Sequence, residues 1–120
     1  MFQFFLVFVG GGLGSVSRWG LSLALQPLLP KFPLATLLAN GLACMVMGAL
    51  MGHQLAIGVV EQRRLLVAVG FCGGFSTFST FTAETVQLWQ GGQHSLAALN
   101  VLVSLLVCFF GLLLGLRITV

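Results

Sequence analysis

The stretch GFCGGFSTFSTFTAE, Gly70–Glu84, decides how this chain is read. It lies within an apolar run from Arg64 to about Trp89, yet it sets two adjacent glycines and a series of hydroxyls in the middle of that run. Gly73-Gly74 weakens a helix there, because glycine loses the most backbone freedom on folding. Nearby Ser and Thr side chains can satisfy backbone groups that a break would free. Non-helical backbone at membrane depth is tolerated only where protein or a cavity surrounds it. The segment therefore predicts a broken membrane helix whose exposed carbonyl oxygens suit a small hard cation.

Working outward, a helix needs about 20 apolar residues to cross the hydrocarbon core. Four such stretches can be placed, at approximately Phe2–Gln26, Pro33–His53, Arg64–Trp89 and Ser95–Arg117, which makes residues 1–120 a single membrane domain. The first connection, QPLLPKFP, carries three prolines and a lysine and reads as a tight external turn. The second, QLAIGVVEQRR, carries both signs of charge, and the third, QGGQHS, is a Gly-rich polar turn. With 58% hydrophobic and 6% charged residues and a mean hydropathy of +1.11, the chain has too little polar surface to cover a water-soluble globule. Its solvent is largely lipid. The N-terminus has neither a charged leader region nor a small-residue cleavage site, so its apolar start is expected to stay as a span.

Five basic residues against two acidic ones leave a net charge of +3, but they are scattered and form no basic cluster, which speaks against nucleic acid as a partner. Cys44, Cys72 and Cys108 lie in apolar segments without a CxxC pair and read as small packing residues. With four spans, Arg63, Arg64 and Arg117 fall on the side of both termini, and Arg18 and Lys31 fall toward the other. So small a bias leaves two outcomes open. Either it still orients the chain one way, or the chain inserts both ways and two opposed copies pair as an antiparallel dimer. Four helices in contact fill their own centre, so any transport path asks for more than one chain. Small residues at four-residue spacing, Gly10 and Gly14, Gly48 and Gly52, Gly111 and Gly115, support close helix packing without naming the partner helix.

Polar residues inside spans carry the chemistry. Thr36, Asn40, Cys44 and Gly48 share one helical face, and Asn100, Ser104 and Cys108 repeat the device in the last span. Each row serves either interhelical hydrogen bonding or a polar path. Phe71, Phe75, Phe78 and Phe81 make an aromatic stripe beside Ser76, Ser79 and Thr80. Aromatics alone would mean lipid contact or core packing. Interleaved with hydroxyl donors, the positive ring edges can coordinate a small anion without any full positive charge. Several weak donors also let an ion leave, which suits a channel.

Three motifs resemble the CrcB/Fluc family of fluoride channels: GGGLGSVSRW at Gly10–Trp19, ATLLANGLACMVMG at Ala35–Gly48 and GFCGGFSTFSTF at Gly70–Phe81. The resemblance covers essentially the whole chain. It implies an all-α protein of the bacterial inner membrane with four transmembrane helices and a broken third helix. Two inverted copies would form a dual-topology homodimer passing fluoride along two antiparallel pores, with a sodium ion at the dimer centre. By position, Gly73 and Ser76 resemble the residues whose carbonyls hold that sodium, two from each copy, with Ser76 in place of the family's usual Thr. Phe78 and Phe81 resemble its pore phenylalanines, Asn40 its pore asparagine, and Ser79, Thr80 and Ser104 its polar track. Cys108 stands where a further track hydroxyl is expected, and a thiol is a weaker donor. Arg18 resembles the first-helix arginine, with Trp19 for the usual Tyr, in a structural or vestibule role. Glu84 resembles the family's acidic residue, expected near the mouth and paired with a donor.

Two other readings compete. A small dual-topology multidrug exporter needs a membrane-buried carboxylate, carried in its first helix, whereas this first span has Arg18 and no acid. A non-conducting subunit would pack through the GxxxG faces and pass no ions alone. No nucleophile–base pair, metal cluster or phosphate loop suggests an enzyme, and His53 and His94 flank loops.

Overall fold

The computed structural model describes residues 1–28 and 30–119, and the regular structure in them is helical throughout. Helix α1 is Phe2–Leu25 and α2 is Leu34–Ile57. A turn at Glu61–Arg63 runs through a π-helical stretch, Arg64–Cys72, into a last turn, Gly73–Phe75, and these together are α3, residues 61–75. Helices α4, Phe78–Gln90, and α5, His94–Thr119, complete the chain. Four segments are long and apolar enough to cross a membrane: Phe2–Leu25, Leu34–Leu55, Glu61–Gln90 and His94–Thr119.

Element ends follow local chemistry. The three prolines are confined to the first connection, where Pro33 sets the start of α2, because proline inside a helix removes a hydrogen bond and clashes with the preceding turn. Gly58 and Gly92 adopt φ of 80° and 79°, a backbone conformation open to glycine, and they turn the chain after α2 and between α4 and α5.

The spans pair odd with odd and even with even. Along α1 and α3, Gly10 lies against Leu66 and Phe71, and Gly14 against Phe71 and Phe75. Along α2 and α5, Gly41 meets Val107, Gly48 meets Leu112 and Leu116, and Gly115 meets Met45 and Ala49. Residue numbers rise together in both cases, so both pairs are parallel. Thr119 Oγ1 donates to the Ala49 carbonyl at 2.9 Å and ties the far end of the second pair. A Cβ at Gly10, Gly14, Gly48 or Gly115 would run into the backbone of the facing helix. Lipid offers no hydrophobic drive between helices, so this close approach, with its dispersion contacts, holds each pair together.

Between the pairs lies a small core of Ala39, Ala43, Cys72 and Phe75, with Leu21, Met47 and Phe71 against it. Large apolar residues such as Phe4, Phe8, Leu105 and Phe109 stand on the outside, the arrangement an apolar solvent permits.

Ser76 (φ −86°, ψ 150°) and Thr77 (φ −152°, ψ 119°) are extended and separate α3 from α4. The glycine pair itself is helical and lies just before them. Gly74 packs on the backbone of Gly11, so its missing side chain serves the α1 contact. The extended residues fall where hydroxyl and amide side chains can take over the backbone's hydrogen bonds.

Candidate functional site

The peptide groups of Thr77 are matched by a side chain from another helix. Thr77 N donates to Asn40 Oδ1 at 2.8 Å, and Asn40 Nδ2 donates to the Thr77 carbonyl at 3.3 Å. A carboxamide carries the same donor and acceptor as a peptide bond, and here it substitutes for one. The Thr77 side chain caps α4 by accepting from Thr80 N at 3.2 Å, and its hydroxyl also lies 3.1 Å from Ser79 Oγ and 3.2 Å from Thr80 Oγ1. On the other side of the gap, Ser76 N and Ser76 Oγ both donate to the Cys72 carbonyl, at 2.9 Å and 2.6 Å. Arg18 Nε donates to the Gly74 carbonyl at 3.3 Å, so the first-helix arginine is bonded to a helix-end carbonyl of α3. Gly73 is exposed, and a Cβ there would meet nothing within 4 Å.

The phenylalanine stripe divides at the extended residues. Phe71 and Phe75 stack at 5.4 Å, with Phe75 buried in the core. Phe78 and Phe81 form a second pair, with ring centroids 5.6 Å apart and planes inclined by 43°. Phe78 is 78% exposed and Ser79 beside it is exposed, so this ring and its hydroxyl face outward from the chain, while Phe81 is half-buried.

The polar row of α5 points inward. Asn100 is 1% exposed, its Nδ2 donates to Thr85 Oγ1 at 2.9 Å, and Ser104 Oγ donates to Asn100 Oδ1 at 3.3 Å. Thr85 Oγ1 in turn donates to the Phe81 carbonyl at 2.8 Å. Cys108 is half-buried one turn further on. Glu84 Oε1 accepts from Thr36 Oγ1 at 2.8 Å. Both residues line a cavity of about 490 Å³ at the end of the molecule where the first connection meets the α4–α5 turn, with Gln26, Lys31 and Gln93 among its walls. Among the described residues no three metal-ligating side chains gather into a cluster.

Asn40, Ser76, Ser79, Thr80 and Arg18 thus gather at the two extended residues, with Gly73 one turn before them and Phe78 and Phe81 just beyond. Ser104 lies in the inward network, and Glu84 and Thr36 lie at the cavity. Thr77 and Thr85 were not singled out from the sequence. A threonine just before a renewed helical run is a capping signal that could have marked Thr77. Nothing local marks Thr85, whose partner is fifteen residues away.

A family model described as CrcB-like protein, Camphor Resistance (CrcB), matches residues 5–116. The chain belongs to the CrcB family. Several similar proteins carry the name fluoride-specific ion channel FluC. One from Klebsiella pneumoniae is 47% identical over 111 residues, covering 91% of this chain and 87% of the relative. Another, from Escherichia fergusonii, is 48% identical over 106 residues, with 86% and 82% covered. A third, from Pectobacterium atrosepticum, is 45% identical over 100 residues, with 82% and 79% covered. The CrcB match covers most of all four membrane-crossing segments and includes both extended residues and their partner Asn40.

Proposed function

We infer that this chain is a fluoride-specific ion channel, a multi-pass protein of the bacterial inner membrane that passively lets fluoride leave the cell and so lowers its toxicity. The observation that carries the reading is likeness, over most of both chains, to proteins named as fluoride-specific ion channels. No ATP or proton coupling enters it. The paired rings of Phe78, exposed, and Phe81, half-buried, with Ser79 and Thr80 beside them, support an anion path made of ring edges and hydroxyl donors. Asn40 adds the Nδ2 hydrogen that Thr77 does not use. An ion that sheds its water shell needs several such partial charges, none strong enough to hold it.

The path is completed by a second, inverted copy. Exposed polar groups at Gly73 and Ser79, inside a membrane-crossing segment, support a protein surface over that face, since lipid cannot satisfy them. The third span works as a broken helix, and sodium belongs at the centre of the pair. The residues fit such an ion. Thr77 N is bonded to Asn40, which releases the Gly73 carbonyl from its usual helical partner four residues on, and Ser76 is extended. Carbonyl oxygens of Gly73 and Ser76, two from each copy, are hard ligands of the kind sodium takes. When bound, the ion joins the two copies and leaves the fluoride path to the side chains. Arg18, bonded to Gly74, holds the end of α3. The exporter reading has less support, since α1 has no acid and Glu84 is bonded to Thr36 near a connection.

The test is fluoride efflux from liposomes holding only this protein, with chloride as control. Rapid fluoride loss without chloride loss is expected. Equal chloride flux, or none of either, overturns the reading.

A further inference from the structure

Helices α4 and α5 are joined by a short turn and run antiparallel, so Thr85 meets Asn100 and the Phe81 turn lies level with Ser104. Three hydrogen bonds connect these residues, from Ser104 to Asn100, from Asn100 to Thr85 and from Thr85 to the Phe81 carbonyl. Their direction is forced from one end. A backbone carbonyl only accepts, so Thr85 spends its one proton on Phe81 and must accept from Asn100. Asn100 then turns its NH₂ to Thr85 and its oxygen to Ser104, which must donate. Asn100 and Ser104 are buried among helices of the same chain.

We propose that Asn100 is a positioning residue for the ion path. Through Thr85 it holds the Phe81 turn against α5, and it draws the Ser104 proton inward, away from any passing anion. This rests on the reading of Phe81 as a path residue. Threonine bonded to the carbonyl one turn back bends a helix, so the bond at Phe81 sets the local course of α4 and with it the angle of the ring. Hydrogen bonds in series polarise one another in a low dielectric, which makes the three act as a unit. The contact between α4 and α5 is small beside that of α2 with α5, so the bond from Asn100 to Thr85 is a large part of what joins α4 to α5.

The experiment compares Asn100→Leu, Thr85→Val, their double variant and Thr85→Ser as purified proteins in liposomes. It reads fluoride efflux per folded protein and, separately, thermal unfolding. Each of the first two is expected to slow efflux about tenfold, and the double variant no more than the slower single one, because both remove the same coupled unit. Thr85→Ser, which keeps the hydroxyl, restores most of the rate. A purely structural role would lower the unfolding temperature and leave efflux per folded protein at the wild-type value. Wild-type efflux from Thr85→Val therefore overturns the proposal even if Asn100→Leu does not fold, as does a double variant whose losses multiply. Absence of efflux from the wild-type protein overturns the channel reading itself. Normal wild-type efflux with unaffected variants overturns only the role of Asn100.

Discussion

At the scale of single residues, one carboxamide does the work of a missing turn. Asn40 gives and receives a hydrogen bond at Thr77, so the peptide groups of Thr77 itself are not left unmet where the helix is interrupted. Asn40→Asp keeps the acceptor for Thr77 N but sets a carboxylate oxygen against the Thr77 carbonyl. It is expected to lose fluoride efflux and to destabilise the protein by about 1–3 kcal/mol, read by thermal unfolding in detergent. Phe78 differs. Its ring is largely exposed in the chain, so Phe78→Ile is expected to abolish efflux with an unfolding temperature close to wild type. Undiminished flux would remove Phe78 from the path.

At the scale of elements, the glycines sort by what faces them. Gly115 lies on the Met45 carbonyl and Ala49, and nothing lies within 4 Å of a Cβ built at Gly12. Gly115→Val forces α2 and α5 apart and is expected to cost about 1–3 kcal/mol or more, since the obstacle is backbone and cannot rotate away. Gly12→Ala removes backbone freedom from the unfolded chain without a collision and is expected to be neutral or to stabilise by up to about 1 kcal/mol. Unfolding temperatures of the two variants in the same detergent check the contrast. If Gly115→Val is as stable as Gly12→Ala, close approach is not what holds the parallel pair.

At the scale of the whole molecule, the chain leaves polar groups uncovered within a membrane-crossing segment, and a bound cation at a two-copy interface would tie cover to folding. A ligand that binds only the assembled state stabilises it by mass action. The unfolding temperature of the purified protein is therefore expected to rise with sodium concentration and not with a bulky organic cation at equal ionic strength. A melting curve indifferent to sodium would speak against the carbonyl site at Gly73 and Ser76.

Hydropathy and proline alone determined four membrane-crossing segments and their connections, because a span is a property of about 20 consecutive residues and lipid penalises each polar group separately. The odd composition of Gly70–Glu84 also marked the site's neighbourhood, since a series of hydroxyls in an apolar run needs protein or a cavity around it. Which helices pair was decided only in three dimensions: GxxxG spacing gives a flat face but not its partner, and Gly10 and Gly48 found parallel helices of their own chain. The phenylalanine stripe, one face by spacing, is likewise divided by two extended residues into a core pair and a second pair of which Phe78 is exposed. The inward turn of Asn100 and Ser104 was equally out of reach of the sequence. A polar row on a helix has the same spacing whichever way it faces, and only the packed position of Thr85 shows that Asn100 bonds to α4.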